Sequence, residues 1–230
     1  MNNPWLNLPE SSPFVLDCDM ENVEKFNSRL PLDSPTRLHI DNVISEPFVG
    51  AVSTASLIIL QLNPGSDDTN VASHGDPAFR KALLGNLRHA ATEWPFYFLD
   101  PRFRQTHPGG LWWSKKLNKL LDVVGFERLS RKLAVIEWFP YKSPRFKHGC
   151  QVPSQEYGFW LVRSAIERGA LIIVSRAILK WEESVPELRS YAKKLTLSST
   201  QNVAVTPNNL KYNSAKCPEA WQMVLGAFDQ

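Results

Sequence analysis

Short apolar runs alternate along the chain with segments that are apolar on one helical face. The most distinct run spans 57–62, is rich in branched residues, and ends at Asn63-Pro64-Gly65. Such a run is typical of a strand buried on both faces of a sheet, and proline with glycine then turns the chain out of that sheet. Runs of the same kind predict three more strands, at 133–139, 170–174 and 203–205.

Helical spacing of apolar residues predicts helices between these strands. Asp76-Pro77 is a helix start, because an N-cap residue precedes a proline at the first helical position. Strands that alternate with helices build parallel βαβ units. The pattern therefore predicts an α/β fold with three layers, α/β/α, around a central four-stranded parallel sheet. We expect one domain over residues 1–230, in which residues 1–45 form an N-terminal arm and a short helix.

The charge of the chain is unevenly distributed. Residues 1–50 carry eight acidic and three basic side chains, a net charge of −5, so with +3 overall the remainder carries +8. This asymmetry predicts an anionic partner for the main body, although an ordinary solvated basic surface would give the same count. The three cysteines are too few and too scattered for a disulfide framework or a zinc site. With no apolar run of membrane length, we expect a cytoplasmic protein without membrane contact, metal or cofactor.

Polar residues follow three of the predicted strands at the point where each strand ends. The carboxyl ends of parallel strands meet at one edge of a sheet, and open α/β sheets bind their ligands there. The residues of these three junctions are Gln61, Asn63, Pro64, Gly65 and Ser66, then Glu137, Trp138, Lys142 and Arg145, and finally Thr206, Asn208, Asn209, Leu210, Lys211 and Tyr212. Basic side chains interleaved with aromatic ones suit a nucleic-acid backbone with unstacked bases.

Two of these junctions carry a resemblance to a known family. Leu62-Asn63-Pro64-Gly65 resembles the first motif of the uracil-DNA glycosylase superfamily, in its Asn-Pro-Gly form, and Thr206-Pro207-Asn208-Asn209-Leu210 lies where the second motif occurs. The resemblance covers about residues 45–228. It implies a DNA repair enzyme that hydrolyses the N-glycosidic bond of a flipped base and needs neither metal nor cofactor.

The resemblance also implies roles for individual residues. Asn63 would hold or activate a water against the sugar C1′, and the backbone N–H groups of Gly65 and Ser66 would help to position it. Phe79 would stack on the flipped base, with Phe96 or Tyr97 as alternatives. The remaining base contacts would come from Gln61, Pro64 and Trp138, and the DNA contacts from Lys142, Arg145, Thr206, Asn208, Asn209, Leu210 as a wedge, Lys211 on phosphate, and Tyr212.

The chain departs from the superfamily at two positions. Thr206-Pro207 stands where many members carry a histidine, so no imidazole from this loop stabilises the leaving base. Glu137 stands where many members carry an asparagine that reads the base edge. An ionised carboxylate only accepts hydrogen bonds and would repel uracil O4, so Glu137 favours a base that presents N–H groups. Alternatively, Glu137 is a general base with a raised pKa, or it pairs with a nearby arginine or lysine.

Other interpretations stay open. Asn63 could simply cap the turn. Asp67 and Asp68 could bind a metal, although acidic pairs in such loops more often face solvent or cap helices, and His107 could belong to a lid within the long loop 94–110. Two functions compete with a glycosylase: a non-catalytic nucleic-acid- or nucleotide-binding protein on the same fold, and a hydrolase for a free nucleoside or another small molecule.

Overall fold

Six strands form one mixed sheet. A computed structural model describes residues 1–66, 68–147, 149–199 and 201–229 of the protein, without the side chains of residues 68–70. The strands of this described part are β1 (Phe48–Gly50), β2 (Leu57–Gln61), β3 (Leu133–Glu137), β4 (Leu171–Val174), β5 (Lys194–Leu197) and β6 (Leu210–Tyr212). Their order across the sheet is β1-β3-β2-β4-β5-β6.

The centre and the edges of the sheet differ in strand direction. Strand β2 pairs in parallel with both β3 and β4, and β4 pairs in parallel with β5. Strands β1 and β6 add antiparallel edges, on β3 and on β5. The predicted α/β class is confirmed, but the sheet is six-stranded and mixed, so the prediction of a four-stranded parallel sheet is not.

The predicted strand at 203–205 is wrong. Val203 and Val205 are buried, yet the Val205 N–H donates to the Lys116 carbonyl at 3.0 Å and the segment joins no strand. Its place beside β4 belongs to β5, whose Lys-Leu-Thr-Leu sequence buries only alternate residues. A half-exposed strand of four residues has no continuous apolar run, and for that reason the apolar pattern missed it.

Helices connect and cover these strands. In the described ranges they are α1 (Asp17–Asn27), α2 (Asp68–His74), α3 (Pro77–Leu87), α4 (Pro108–Lys116), α5 (Asn118–Val124), α6 (Phe126–Lys132), α7 (Gln155–Glu167), α8 (Ile178–Ser184) and α9 (Pro218–Gly226). Helix α3 begins as predicted, because the Asp76 carboxylate accepts from the Ala78 N–H at 2.8 Å. None of the described helices combines the length and apolarity that crossing a bilayer requires.

The core lies on both sides of the sheet. All five residues of β2 are buried, and because successive side chains point to opposite faces, both faces are covered at the centre. The N-terminal segment joins this core through Trp5 and Leu38. It is also tied by Asp19, a wholly buried carboxylate that accepts from Tyr141 Oη at 2.7 Å and from the Ser154 N–H at 2.9 Å. The predicted arm is therefore packed against the segment that follows β3.

Candidate functional site

The first two polar junctions meet at the carboxyl edge of the sheet. Gln61 and Glu137 are register partners on β2 and β3, so their side chains leave the same face. The pairing continues one residue further, because the Phe139 N–H donates to the Leu62 carbonyl at 2.9 Å. Beyond this point Pro64 and Pro140 divert the two chains from the sheet, and the loops that follow carry the polar residues.

Asn63 is held across these loops by Ser143. Its Nδ2 donates to Ser143 Oγ at 3.1 Å and lies 3.4 Å from the Ser143 carbonyl oxygen. It also donates to the carbonyl of Pro64 at 3.2 Å. The nitrogen end of the amide therefore faces Ser143, and a water acted on by Asn63 would meet the carbonyl oxygen Oδ1.

Lys142 is buried and forms an ion pair with Glu46. Its Nζ lies 3.0 Å from Glu46 Oε1 and 3.4 Å from the Gly65 carbonyl oxygen, and only 3% of its side chain is exposed. Lys142 was predicted to contact DNA, but its ammonium is buried in this ion pair and is not presented at the surface. A buried lysine needs a partner because desolvating an unpaired charge is costly, and Glu46 supplies that partner.

His74 lies on the other side of Glu46. Its Nδ1 accepts from the Ile44 N–H at 3.1 Å, so Nε2 carries the proton, and it points toward Glu46 Oε1 at 3.4 Å. That contact is long and lacks ordinary hydrogen-bond geometry. Burial alone would raise the pKa of Glu46, but the Lys142 ammonium and His74 outweigh burial and lower it to about 2. Glu46 is therefore ionised throughout the physiological range.

Glu137 behaves in the opposite way. Burial raises its pKa from 4.5 to about 8, helped by the Glu46 charge and opposed by Lys142 and Arg176. The residue keeps partial exposure, but its Oε2 is buried and has no hydrogen-bond partner among the described residues. A carboxyl group with this pKa is mostly protonated at neutral pH, and it then both donates and accepts. The direction matches the raised pKa of the general-base alternative and not the ionised carboxylate. We call Gln61, Asn63, Glu137, Lys142 and Glu46 the edge cluster.

Two further nitrogen atoms are left unpaired at this edge. Gln61 Nε2 and Arg176 Nε are buried, and neither has a hydrogen-bond partner within the described part of the chain. Arg176 follows β4 and acts electrostatically on Glu137. Most buried polar groups in proteins are hydrogen-bonded, so unpaired ones at a sheet edge are candidates to bind a ligand or ordered water. Together with Glu137 they supply three hydrogen-bond donors.

The aromatic side chains predicted to stack on a base are buried. Phe79 is wholly buried, and its ring stacks on His107 with centroids 3.8 Å apart. The Tyr97 ring is T-shaped to the Phe79 ring, with centroids 5.5 Å apart, and Phe96 is also buried. No face of Phe79 is open to a base in this structure, which contradicts the predicted contact. Helix α3 was predicted correctly. The rings that cover Phe79, however, come from the segment that contains Tyr97 and His107, and the pattern within α3 gives no information about them.

Trp138, Gly65 and Ser66 keep their place at the edge. Trp138 is buried, donates from Nε1 to Ser184 Oγ at 3.0 Å, and has Lys180 Nζ 4.6 Å from its ring centroid. Gly65 is exposed, and the buried Ser66 hydroxyl lies 2.8 Å from His39 Nδ1. The role of the Gly65 and Ser66 backbone N–H groups in positioning a water stays a prediction.

The third junction lies at the same edge but further along the sheet. Strand β6 starts beside the carboxyl end of β5, so β4 and β5 separate it from Asn63. Asn209 is used internally: its Oδ1 accepts from the Ser199 N–H at 3.1 Å, and its Nδ2 donates to two carbonyls at 2.8 Å. Leu210 is wholly buried. Neither residue is offered to DNA, against the prediction.

Several predicted contact residues do reach the surface. Arg145 and Asn208 are exposed, whereas Thr206, Lys211 and Tyr212 are half-buried. Asp67 and the side chain of Asp68 lie outside the described residues, so the alternative metal site stays undescribed there. Within the described ranges, no group of three or more His, Cys, Asp or Glu side chains could hold a metal ion.

Two cavities lie away from the edge cluster. One of about 230 Å³ opens at the amino ends of β2 and β4 and is lined by Ser56, Leu171 and Met223, among others. Another of about 500 Å³ lies along α5 and α6. Neither cavity is lined by a residue of the edge cluster. The evidence for a site at the edge cluster is therefore its unpaired polar atoms, not the size of a cavity.

Comparisons with family models, curated proteins and solved structures find no significant match to this chain. The assignment of function therefore depends on the residues themselves. Sequence reasoning located Asn63 and Glu137 but missed Glu46, His74 and Arg176. Glu46 precedes a strand of only three residues, and Arg176 follows β4 without a motif, so no local pattern marked either one.

Proposed function

We propose that the protein is a DNA glycosylase-like hydrolase that cleaves the N-glycosidic bond of a damaged or modified base flipped out of DNA. The observation that carries this proposal is that an oriented amide, Asn63, follows β2 where a carboxyl with a raised pKa, Glu137, ends the neighbouring strand β3. The Asn63 oxygen would hold a water in line with C1′, and Glu137 would bind the base.

The unpaired donors favour a leaving group that gains electron density. Breaking the glycosidic bond puts negative charge on the departing base. Gln61 Nε2, the Glu137 hydroxyl and Arg176 Nε would offset that charge from fixed positions, in place of the imidazole that Thr206-Pro207 lacks. Because a neutral carboxyl also donates, bases that present a carbonyl, including uracil, become acceptable substrates, which an ionised Glu137 would disfavour.

Exposed cations beside Asn63 support a nucleic-acid partner. Segment 139–154 contains three basic side chains and no acidic one. Lys142 is buried, but Arg145 and Lys147 are exposed two and four residues after Ser143, the residue that holds Asn63. Cations in such a position attract the phosphate backbone and make binding salt-dependent.

Base release from defined oligonucleotides tests the proposal. Strands that each carry one modified base are incubated with the protein, and abasic products are then cleaved with alkali. We expect product with wild type on at least one base and a loss of at least about a hundredfold with Asn63→Ala. Asn118→Ala is the matched control, because Asn118 is exposed on α5. No product on any base, or equal product with Asn63→Ala, would contradict a glycosylase.

One observation favours a second candidate, a nucleic-acid-binding protein without catalysis. Phe79 is covered by His107, so the ring that would hold a flipped base is not open. Such a protein would bind oligonucleotides with a steep salt dependence and release no base. Release of a base from free nucleosides, without any DNA binding, would instead indicate a small-molecule hydrolase.

A further inference from the structure

We propose that Glu137 is the proton donor to the departing base, and that burial keeps it a neutral acid while Glu46 holds Lys142 in an ion pair. This inference rests on the proposed function. It gives Glu137 the role of a general acid, and it gives a role to Glu46, which touches no substrate in the proposal.

The backbone segments that carry the two carboxyl groups are neighbours at the same end of the sheet. Glu46 precedes β1, Glu137 ends β3, and these two strands are antiparallel partners. The Glu137 N–H donates to the carbonyl of Pro47, the residue after Glu46, at 2.9 Å. The negative charge of Glu46 disfavours ionisation of Glu137.

Lys142 decides which of the two carboxyl groups keeps the proton. Its Nζ lies 3.0 Å from Glu46 Oε1 and also reaches the Gly65 carbonyl. A lysine bound to Glu46 neutralises that carboxylate and leaves Glu137 Oε2 buried, with no hydrogen-bond partner in the described ranges. The cost of ionising Glu137 without a close partner then favours its acid form.

Burial acts on Glu137 more strongly than the ion pair does, because Lys142 lowers the pKa of Glu137 by more than Glu46 raises it. The charged groups that act on Glu137 are Lys142 and Arg176, which lower its pKa, and Glu46, which raises it, while burial has the largest effect. The pKa values of the two carboxyl groups are thereby separated, to about 2 for Glu46 and about 8 for Glu137. Two carboxyl groups separated in this way, one ionised and one neutral, are typical of acid–base assignments in hydrolases.

In the proposed step, proton transfer from Glu137 accompanies cleavage of the glycosidic bond. The C1′–N bond breaks and its electron pair moves onto the base, while the oxygen of the water held by Asn63 bonds to C1′. The Glu137 hydroxyl gives its proton to the base, so the base leaves neutral. The attacking water loses a proton to solvent, and solvent returns one to the Glu137 carboxylate. Asn63 cannot supply that proton, because an amide does not titrate in water near neutral pH.

The pH dependence of single-turnover base release tests the inference. The wild-type rate should be level below pH 8 and fall about tenfold per pH unit above it, since only the acid form of Glu137 reacts. Glu137→Gln keeps a donor and an acceptor but cannot give a proton, so it should retain oligonucleotide binding and lose about a hundredfold in rate. Glu183→Gln, an exposed substitution of the same kind, should match wild type.

A second variant tests the role of the ion pair. Glu46→Gln removes the neighbouring charge and frees Lys142 for Glu137, so the alkaline fall in rate should begin at lower pH. Infrared spectroscopy tests the protonation state of Glu137 without turnover. The carbonyl band of a protonated carboxyl should be present at pH 7 in wild type and be lost above pH 8. The same band should be missing in Glu137→Gln. Because this band is measured in wild type and in Glu137→Gln, the test does not depend on whether Glu46→Gln folds.

The outcomes separate the two proposals. If no base is released by wild type on any oligonucleotide, the proposed function fails and the inference fails with it. If base is released but the rate stays level through pH 9, if Glu137→Gln reacts as fast as wild type, or if the infrared band is missing from wild type at pH 7, the inference alone is overturned.

Discussion

Replacing Glu137 by glutamine should stabilise the protein, and more so at alkaline than at acidic pH. Burial raises the pKa of Glu137 from 4.5 to about 8, so between these values the folded chain holds a proton that the unfolded chain has released. In this window stability falls as the pH rises, and the loss is nearly complete once the pH passes 8. Glutamine carries no charge in either state and avoids that loss.

The size of the effect follows from the shift in pKa. At about 1.4 kcal/mol per pH unit, the full loss in wild type is about 5 kcal/mol, and the part between pH 6 and pH 8 is about 2 kcal/mol, because Glu137 is already half deprotonated at pH 8. These are upper values, because Glu137 is partly exposed and water relaxes some of the penalty. A residue kept for chemistry at a cost in stability is a common feature of active sites.

Urea denaturation at pH 6 and pH 8.5 measures this effect. The unfolding free energy of Glu137→Gln, minus that of wild type, should grow by up to about 3 kcal/mol between the two conditions. Glu183→Gln should follow wild type at both, because Glu183 is exposed. An equal difference for Glu137→Gln at both pH values would refute the reasoning, since it would mean that Glu137 does not titrate in this range.

Three further predictions concern the same region. Lys142→Met leaves Glu46 buried without its cation and should lower the unfolding free energy by about 3–5 kcal/mol. Adding Glu46→Gln to this variant should recover most of the loss. No recovery would contradict a stabilising Glu46–Lys142 ion pair. Because the pKa of Glu46 is lowered from 4.5 to about 2, wild type should lose about 3 kcal/mol as the pH falls through that range, and the double variant should not. Replacing both Arg145 and Lys147 by alanine should reduce the slope of log K against log salt by about 2 in oligonucleotide binding; an unchanged slope would place the DNA elsewhere.

The sequence was informative where local pattern and position coincide. The buried run that became β2 predicted both the strand and the polar turn at its end, because a strand buried on both faces has few other places in an α/β fold. For the same reason Asn63 and Glu137 were expected at one edge. The carboxyl ends of adjacent parallel strands lie at the same edge of the sheet, whatever the length or conformation of the connecting segments.

What the sequence did not predict depends on partners distant in the chain. Lys142 looked like a surface cation because nothing within the loop could neutralise it, and its partner Glu46 lies about one hundred residues earlier. Phe79 looked like an available ring, yet it is covered by His107 from a different helix start. A raised pKa of Glu137 was one of the alternatives that the sequence left open, and the choice between them depends on its burial and on the Glu46 charge, which no local motif encodes.

The hydrogen bonds of the buried Asp19 carboxylate bear on whether the site could form from two fragments of the chain. Asp19 accepts hydrogen bonds from Tyr141 and Ser154, and the His39 N–H donates to the Lys142 carbonyl at 2.9 Å, so these three hydrogen bonds join the N-terminal segment to the loop that carries Ser143. Between Asp19 and His39 the chain passes through Leu32, which is highly exposed. A nick there would divide these hydrogen bonds between two polypeptides. Completion of the site would then become a bimolecular event governed by fragment concentration, the arrangement on which split-protein reporters depend.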